Sequence, residues 1–169
     1  TLYSDQSPWD LDAAGIQNLS AAAQRGRGVF GGPANCNVCH AGNRFTDETF
    51  RDIGVRPFSE DLGRFAITGN PQDTGEFRVP SLRNVGLRRS FFHNGGFTTL
   101  NQVVDFYNRG GDFRNNPNVP QGLIRPLGLN QGQRNDLVAF LQSLTDARVA
   151  NESSIFDRPT LYMESTRVP

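Results

Sequence analysis

Lysine is absent from this chain of 169 residues. All the basic charge is arginine, 17 residues, set against 17 acidic ones for a formal net charge of zero. That balance gives no reason to expect nucleic acid or an anionic membrane as a partner. It also means that any positive docking face, or any grip on a carboxylate, must come from arginine and its planar, bidentate fork. No run of 18 apolar residues occurs, so no transmembrane span is expected. Thr1-Leu2-Tyr3 opens without the basic and then apolar stretch of a secretory leader. Methionine and tryptophan occur once each, as Met163 and Trp9, histidine twice, and cysteine twice.

The two cysteines are not scattered. They stand in Cys36-Asn37-Val38-Cys39-His40, which reads C-x-x-C-H, the attachment signature of a c-type haem. Each thiol can form a thioether to a haem vinyl group, and the adjacent histidine is then placed as an axial ligand of the iron. The rival readings are weaker. A thioredoxin-like pair wants a βαβ setting, which the surrounding pattern lacks. A zinc site wants four ligands, and only His93 remains as a soft partner after the motif itself. A disulfide between Cys36 and Cys39 would close a very tight loop. One motif and no internal repeat mean one covalent haem. Haem attachment of this kind normally occurs outside the bacterial cytoplasm, so the sequence reads as an exported, periplasmic protein in its mature or trimmed form.

The length fits one domain with one core, and 13 phenylalanines point to an aromatic-lined interior. Residues 1–15 read as a polar, irregular N-terminal extension, with Trp9 as a lid over the core. Residues 16–146 read as the haem domain. Ile16, Leu19, Ala23, Gly26 and Phe30 recur at helical steps and predict a helix over 16–30, ended by Gly31-Gly32-Pro33. Residues 41–80 read as loop with a short hairpin. Leu100, Val103, Val104 and Tyr107 predict a second helix, capped by Thr98 or Thr99 and stopped by Gly110-Gly111. Residues 112–127 read as loop. Leu137, Phe140, Leu141 and Leu144 mark a third helix over about 130–144, and Gly26/Phe30 would meet Phe140/Leu141 in a helix crossing. Residues 147–169 read as a polar tail, disordered or serving as a docking arm.

From Asp61 onward a set of motifs follows in order. These are Asp61-Leu62-Gly63-Arg64, then Phe77-Arg78-Val79-Pro80-Ser81-Leu82-Arg83-Asn84, then Phe92-His93-Asn94-Gly95, then Thr99-Leu100, and Phe106-Tyr107-Asn108-Arg109-Gly110-Gly111. Together the residues from about 20 to 145 resemble the C-terminal haem domain of the bacterial di-haem cytochrome c peroxidases, closest to their MauG-like branch. The resemblance implies an all-α class I cytochrome c fold, here with an enlarged loop region between the haem motif and the distal ligand. It implies a sixth iron ligand at Tyr107; Met163, the only methionine and outside the resemblance, is the soft alternative. It places His93 near the haem as a second-shell or proton-carrying group. It marks Arg64, Arg83 and Asn84 for propionate contacts or for pinning the haem loop. The family's N-terminal haem domain has no counterpart in the sequence, and Arg88-Arg89-Ser90 stands where relatives carry a small residue and a proline. Both departures weigh against carrying over the family's calcium site. The function expected first is one-electron transfer by a His40/Tyr107-ligated haem, with a redox protein as partner. The alternatives are a peroxidase or MauG-like oxidase, alone or with a second haem-containing subunit, and a haem subunit of a larger redox complex.

Overall fold

The computed structural model describes residues 4–152. The helices that build the core are α2 (Ala21–Gly31), α4 (Leu100–Arg109) and α5 (Gln131–Gln142), joined by shorter helices α1 (Pro8–Ala13), α3 (Phe65–Thr68) and α6 (Ala147–Ala150). Two short strands, β1 (Phe50–Arg51) and β2 (Phe77–Arg78), pair antiparallel with Phe50 opposite Arg78 and Arg51 opposite Phe77. The architecture is therefore helical with one addition to the all-α expectation. That addition is not a tight hairpin, because residues 52–76 lie between the strands.

The first helix differs from the expected 16–30. Ile16 fits the helical spacing but is 73% exposed. The chain turns at Gly15, where φ is +70°. Asp12 Oδ1 then accepts the Leu19 N–H at 3.0 Å, and Ser20 caps a new start by accepting from Ala23 N. Local side-chain acceptors thus interrupt a pattern that apolar spacing alone would continue. Residues 1–15 are not irregular throughout either. Ser7 and Asp10 form a capping box around Pro8 at the first helical turn, which makes α1. This segment packs on the body. Trp9 N–H donates to the Ser143 carbonyl at 3.1 Å, and the Trp9 ring meets Phe45 edge-on at 4.8 Å.

The expected crossing of α2 and α5 is present. Phe30 and Phe140 meet at 5.1 Å between ring centroids. Gly26 makes it possible, since a Cβ there would overlap the Asp136 carbonyl and come within 2.8 Å of Phe140 Cβ. Arg25 closes the crossing with a two-pronged pair to Asp136 at 2.8 and 2.7 Å. Gly26→Ala is expected to destabilise the fold by about 2 kcal/mol. Overpacking against an immovable carbonyl costs about 1–3 kcal/mol and outweighs the gain of about 1 kcal/mol in helix propensity. Gly28→Ala, where nothing lies within 4 Å of the added Cβ, should stabilise or leave unchanged. Urea unfolding of the two variants side by side checks the pair.

Helix α4 starts at Thr99, whose hydroxyl and the Gln102 side chain form a capping box, and stops at Gly110 with φ +87°. Helix α5 is capped in the same way by Asn130 and Gln133. The segment expected as a tail begins with α6. Residues 153–169, Met163 among them, lie outside the described residues. No helix among the described residues is long and apolar enough to cross a membrane.

Candidate haem site

Cys36 to Val38 form a single 3₁₀ turn directly after α2, with Asn35 left-handed at its entry. The turn brings Cys36, Cys39 and His40 to the wall of a cavity of about 530 Å³, within the roughly 300–1,000 Å³ usual for bound organic ligands. The expected α4 stripe, Leu100, Val103, Val104 and Tyr107, forms another wall, joined by Leu137 and Leu141 of α5.

The thiols are not bonded to each other. Burial pushes the Cys36 thiol up to about 12. Cys39 is raised too, chiefly by burial, with the Arg51 guanidinium acting in the opposite sense. Redox-active C-x-x-C pairs depend on a lowered thiol pKa, so this environment speaks against that reading. Among the described residues, no group of three or more His, Cys, Asp or Glu side chains is placed to hold a metal ion.

His40 is held in one tautomer. Its Nδ1 lies 2.9 Å from the Phe45 carbonyl, which can only accept, so Nδ1 carries the proton and the Nε2 lone pair is left for a ligand. Burial lowers the His40 pKa, against the pull of the Phe45 and Pro80 carbonyls. Phe45 itself has φ +51°, a strained conformation for a bulky residue. Its ring is held in the aromatic cluster with Trp9, Phe30 and Phe140. The cluster fixes the ring while the strained backbone presents the carbonyl to His40.

Tyr107 lines the cavity. Phe106 and Phe92 hold its ring, with centroids 5.2 and 6.1 Å away. The hydroxyl has no hydrogen-bond partner among the described residues. Burial, with Cys36 and Cys39 nearby, shifts the phenol strongly upward. The rest of the F-Y-N-x-G-G motif anchors the end of α4. The Asn108 side chain accepts from Leu129 N at 2.8 Å and donates to Leu129 O at 3.3 Å. Gly110 leaves room for Arg125 and Pro126, whose backbone a Cβ would meet at 2.7–2.8 Å.

The other expected residues fall in different places. Arg83 points away from the cavity and pins the loop after the haem motif. It donates to the Asn43 carbonyl at 2.7 Å and pairs with Asp10 at 2.6 Å. Ser81, overlooked in the sequence, does the same at Arg44 O, 2.6 Å. Asn84 takes the left-handed region at φ +57° and accepts from Asp146 N at 2.9 Å, which ties down the chain after α5. Arg64 lies outside the cavity wall, 3.6 Å from both Asp73 and Glu76 and over the Phe50 ring at 4.6 Å. His93 lines the cavity, raised on a loop closed by Phe91 N–H to Phe97 O at 2.8 Å. Asp61, Asp52 and Arg88 also line it. Nothing in the sequence around the two aspartates marks them for a role.

These observations fit a covalently held haem: two unbridged thiols, a histidine with one nitrogen committed, and an unsatisfied phenol, all on one apolar cavity. The same chain matches the family model Cytochrome c over residues 23–145. The chain belongs to the cytochrome c family. Within it, the relatives of this cytochrome c are the bacterial di-haem peroxidases and MauG-like proteins. It is 33% identical to the cytochrome-c peroxidase IdrP1 of Pseudomonas sp. (strain SCT), over 100% of this chain and 52% of that protein. It is 37% identical to the methylamine utilization protein MauG of Methylorubrum extorquens, over 85% of this chain and 40% of that protein. Among solved structures it superposes on a MauG-like protein associated with microbial copper homeostasis with a TM-score of 0.81 at 33% identity, covering 87% of this chain and 54% of that one. The diheme peroxidase BthA of Burkholderia thailandensis gives 0.73 at 29% identity, covering 92% and 50%. The cytochrome thus spans about half the length of the relatives it matches.

Proposed function

We propose that this cytochrome is a haem c electron-transfer module of a di-haem peroxidase or MauG-like enzyme, working in the periplasm. Haem c, one per chain, attached through Cys36 and Cys39, would supply a one-electron couple at its iron. His40, with Nδ1 held by the Phe45 carbonyl and Nε2 left for the metal, and the Tyr107 hydroxyl would hold the iron. Val103, Val104, Leu100 and Leu141 would exclude water from the ring. The observation that carries this reading is the Tyr107 hydroxyl, left without a hydrogen bond on the wall of the same cavity as His40. With both His40 and Tyr107 holding it, the iron would offer no place for peroxide. The peroxide-reacting haem would then belong to another domain or to a partner subunit. The names of the relatives support this enzymatic context over the stand-alone carrier expected first from the sequence.

The test is the ferric optical and electron-spin spectrum of the haem-loaded chain, before and after peroxide. A six-coordinate, tyrosinate-type spectrum that peroxide leaves unchanged is expected. A high-spin spectrum that peroxide alters would overturn the module reading and make this chain the peroxidase itself.

A further inference from the structure

His93 is fixed on two sides. Its ring stacks on Phe77 with centroids 3.6 Å apart and planes within 4°, and its Nε2 lies 2.7 Å from Asp61 Oδ2. The carboxylate favours a proton on Nε2 and leaves Nδ1 as the basic nitrogen. Nδ1 has no hydrogen-bond partner among the described residues. The His93 side chain is 24% exposed, so it both borders the cavity and can exchange protons with solvent. A carboxylate that orients an imidazole with the far nitrogen free is the arrangement by which a histidine is readied to take up a proton.

Asp61 and Asp52 both face His93. Asp52 is 3% exposed, and its Oδ1 accepts from Gly54 N at 2.8 Å. Its Oδ2 has no partner and is packed on Gly75, where a Cβ would lie 2.7 Å away. Burial raises the Asp52 pKa, Asp61 adds to the rise, and Asn116 and His93 oppose it. Glu76 lies beyond Asp52. Of the arginines lining the cavity, Arg51 pairs with Asp47 at 2.8 Å and Arg78 with Glu48 at 3.3 Å. Arg88 and Tyr107 complete the ionisable groups on this wall. Asp52 Oδ2 is shut away from solvent, whereas His93 Nδ1 is not.

We propose that the His93–Asp61 pair is the proton-uptake site of this cytochrome, so that reduction of its haem is accompanied by protonation of His93 Nδ1. The proposal rests on the haem reading above. A one-electron donor would supply the electron to the haem that Cys36, Cys39 and His40 would hold. Water supplies the proton, an N–H bond forms at Nδ1, and hydroxide is released to buffer. The net charge of the cavity region is unchanged, which matters because an uncompensated charge in a low-dielectric interior is costly.

The test is the midpoint potential of the haem-loaded protein from pH 5 to 9 by spectroelectrochemistry. The native protein should lose potential with rising pH, approaching 59 mV per unit, a tenfold change in the one-electron equilibrium. His93→Gln should flatten most of that slope with haem content and spectrum retained. Asp61→Asn should keep a slope but move its window, because the imidazole loses the carboxylate that orients it. Asp52→Asn should keep the slope. A native slope and window in His93→Gln would overturn the proposal, as would loss of the slope in Asp52→Asn alone. If His93→Gln does not fold, an unmoved window in Asp61→Asn overturns it. A chain that takes up no covalent haem would instead sink the haem reading, and a pyridine haemochrome assay on the same samples tells the two failures apart.

Discussion

Tyr107→Phe is expected to raise the midpoint potential by on the order of 0.1 V or more, within the roughly 0.8 V that axial ligands command. The ferric protein should become high-spin and open to small ligands such as azide. The argument starts from the phenol. Burial strongly disfavours its anionic form, and no donor or cation among the described residues touches its oxygen. Only a metal ion at that oxygen would invert the balance, as bound metals do for coordinating groups. A tyrosinate so formed is a hard anionic donor that favours ferric over ferrous iron, and its removal raises the potential. The substitution is clean, because the phenyl ring keeps its packing on Phe92 and Phe106 and no hydrogen bond is lost. Its cost in stability should stay below about 1 kcal/mol. An unchanged potential and spectrum in a folded, haem-loaded Tyr107→Phe protein would remove Tyr107 from the iron.

The haem attachment residues, the apolar stripe of α4 and the crossing of α2 with α5 are all legible in the sequence, because each rests on short-range spacing. C-x-x-C-H is contiguous. Leu100, Val103, Val104 and Tyr107 follow the helical period, and small Gly26 marks where helices touch. What escapes such reading has other causes. The break at Gly15 is invisible to apolar periodicity, because Ile16 and Leu19 keep the helical step while Asp12 and Ser20 take the backbone N–H groups. Helix α1 is signalled by Ser7, Pro8 and Asp10, a cap rather than a stripe, and is lost when only stripes are sought. Arg83 was legible as a residue that matters but not in its direction. Its partners Asp10 and Asn43 lie 73 and 40 positions away, and only the folded chain chooses between a haem carboxylate and an aspartate. Asp61 and Asp52 are common residue types in loops, and nothing in their neighbours announces that the fold brings them beside His93.

Asp146→Ala is expected to cost 3–5 kcal/mol, on the order of a thousandfold in the folding equilibrium, although Asp146 is far from any proposed chemistry. Asp146 is fully buried. Its Oδ2 accepts from Ser4 Oγ at 3.2 Å, Gln6 N at 3.1 Å and the Arg148 guanidinium at 2.7 Å. Its Oδ1 accepts from Arg148 N at 2.9 Å and Nε at 3.1 Å. Its own N–H donates to Asn84. The carboxylate thus joins the N-terminal segment to the start of α6, and the Asp146 backbone N–H ties in Asn84. Alanine would leave several donors without an acceptor, and each unsatisfied buried group costs about 1–3 kcal/mol. The pH dependence gives an independent check. Hydrogen bonding and charge from Arg148 hold the Asp146 carboxyl down at about 2. With the folded value below the ordinary one, the contribution is fully present above the ordinary carboxylate range and is lost as pH falls through about 2. It amounts to about 2 kcal/mol. Urea unfolding from pH 7 down to pH 2.5 should show the native protein losing stability faster than Asp146→Asn, whose side chain cannot titrate. If Asp146→Ala unfolded within about 1 kcal/mol of the native protein, or if Asp146→Asn kept the full acid loss, this carboxylate would not be what fastens residues 4–10 to the domain.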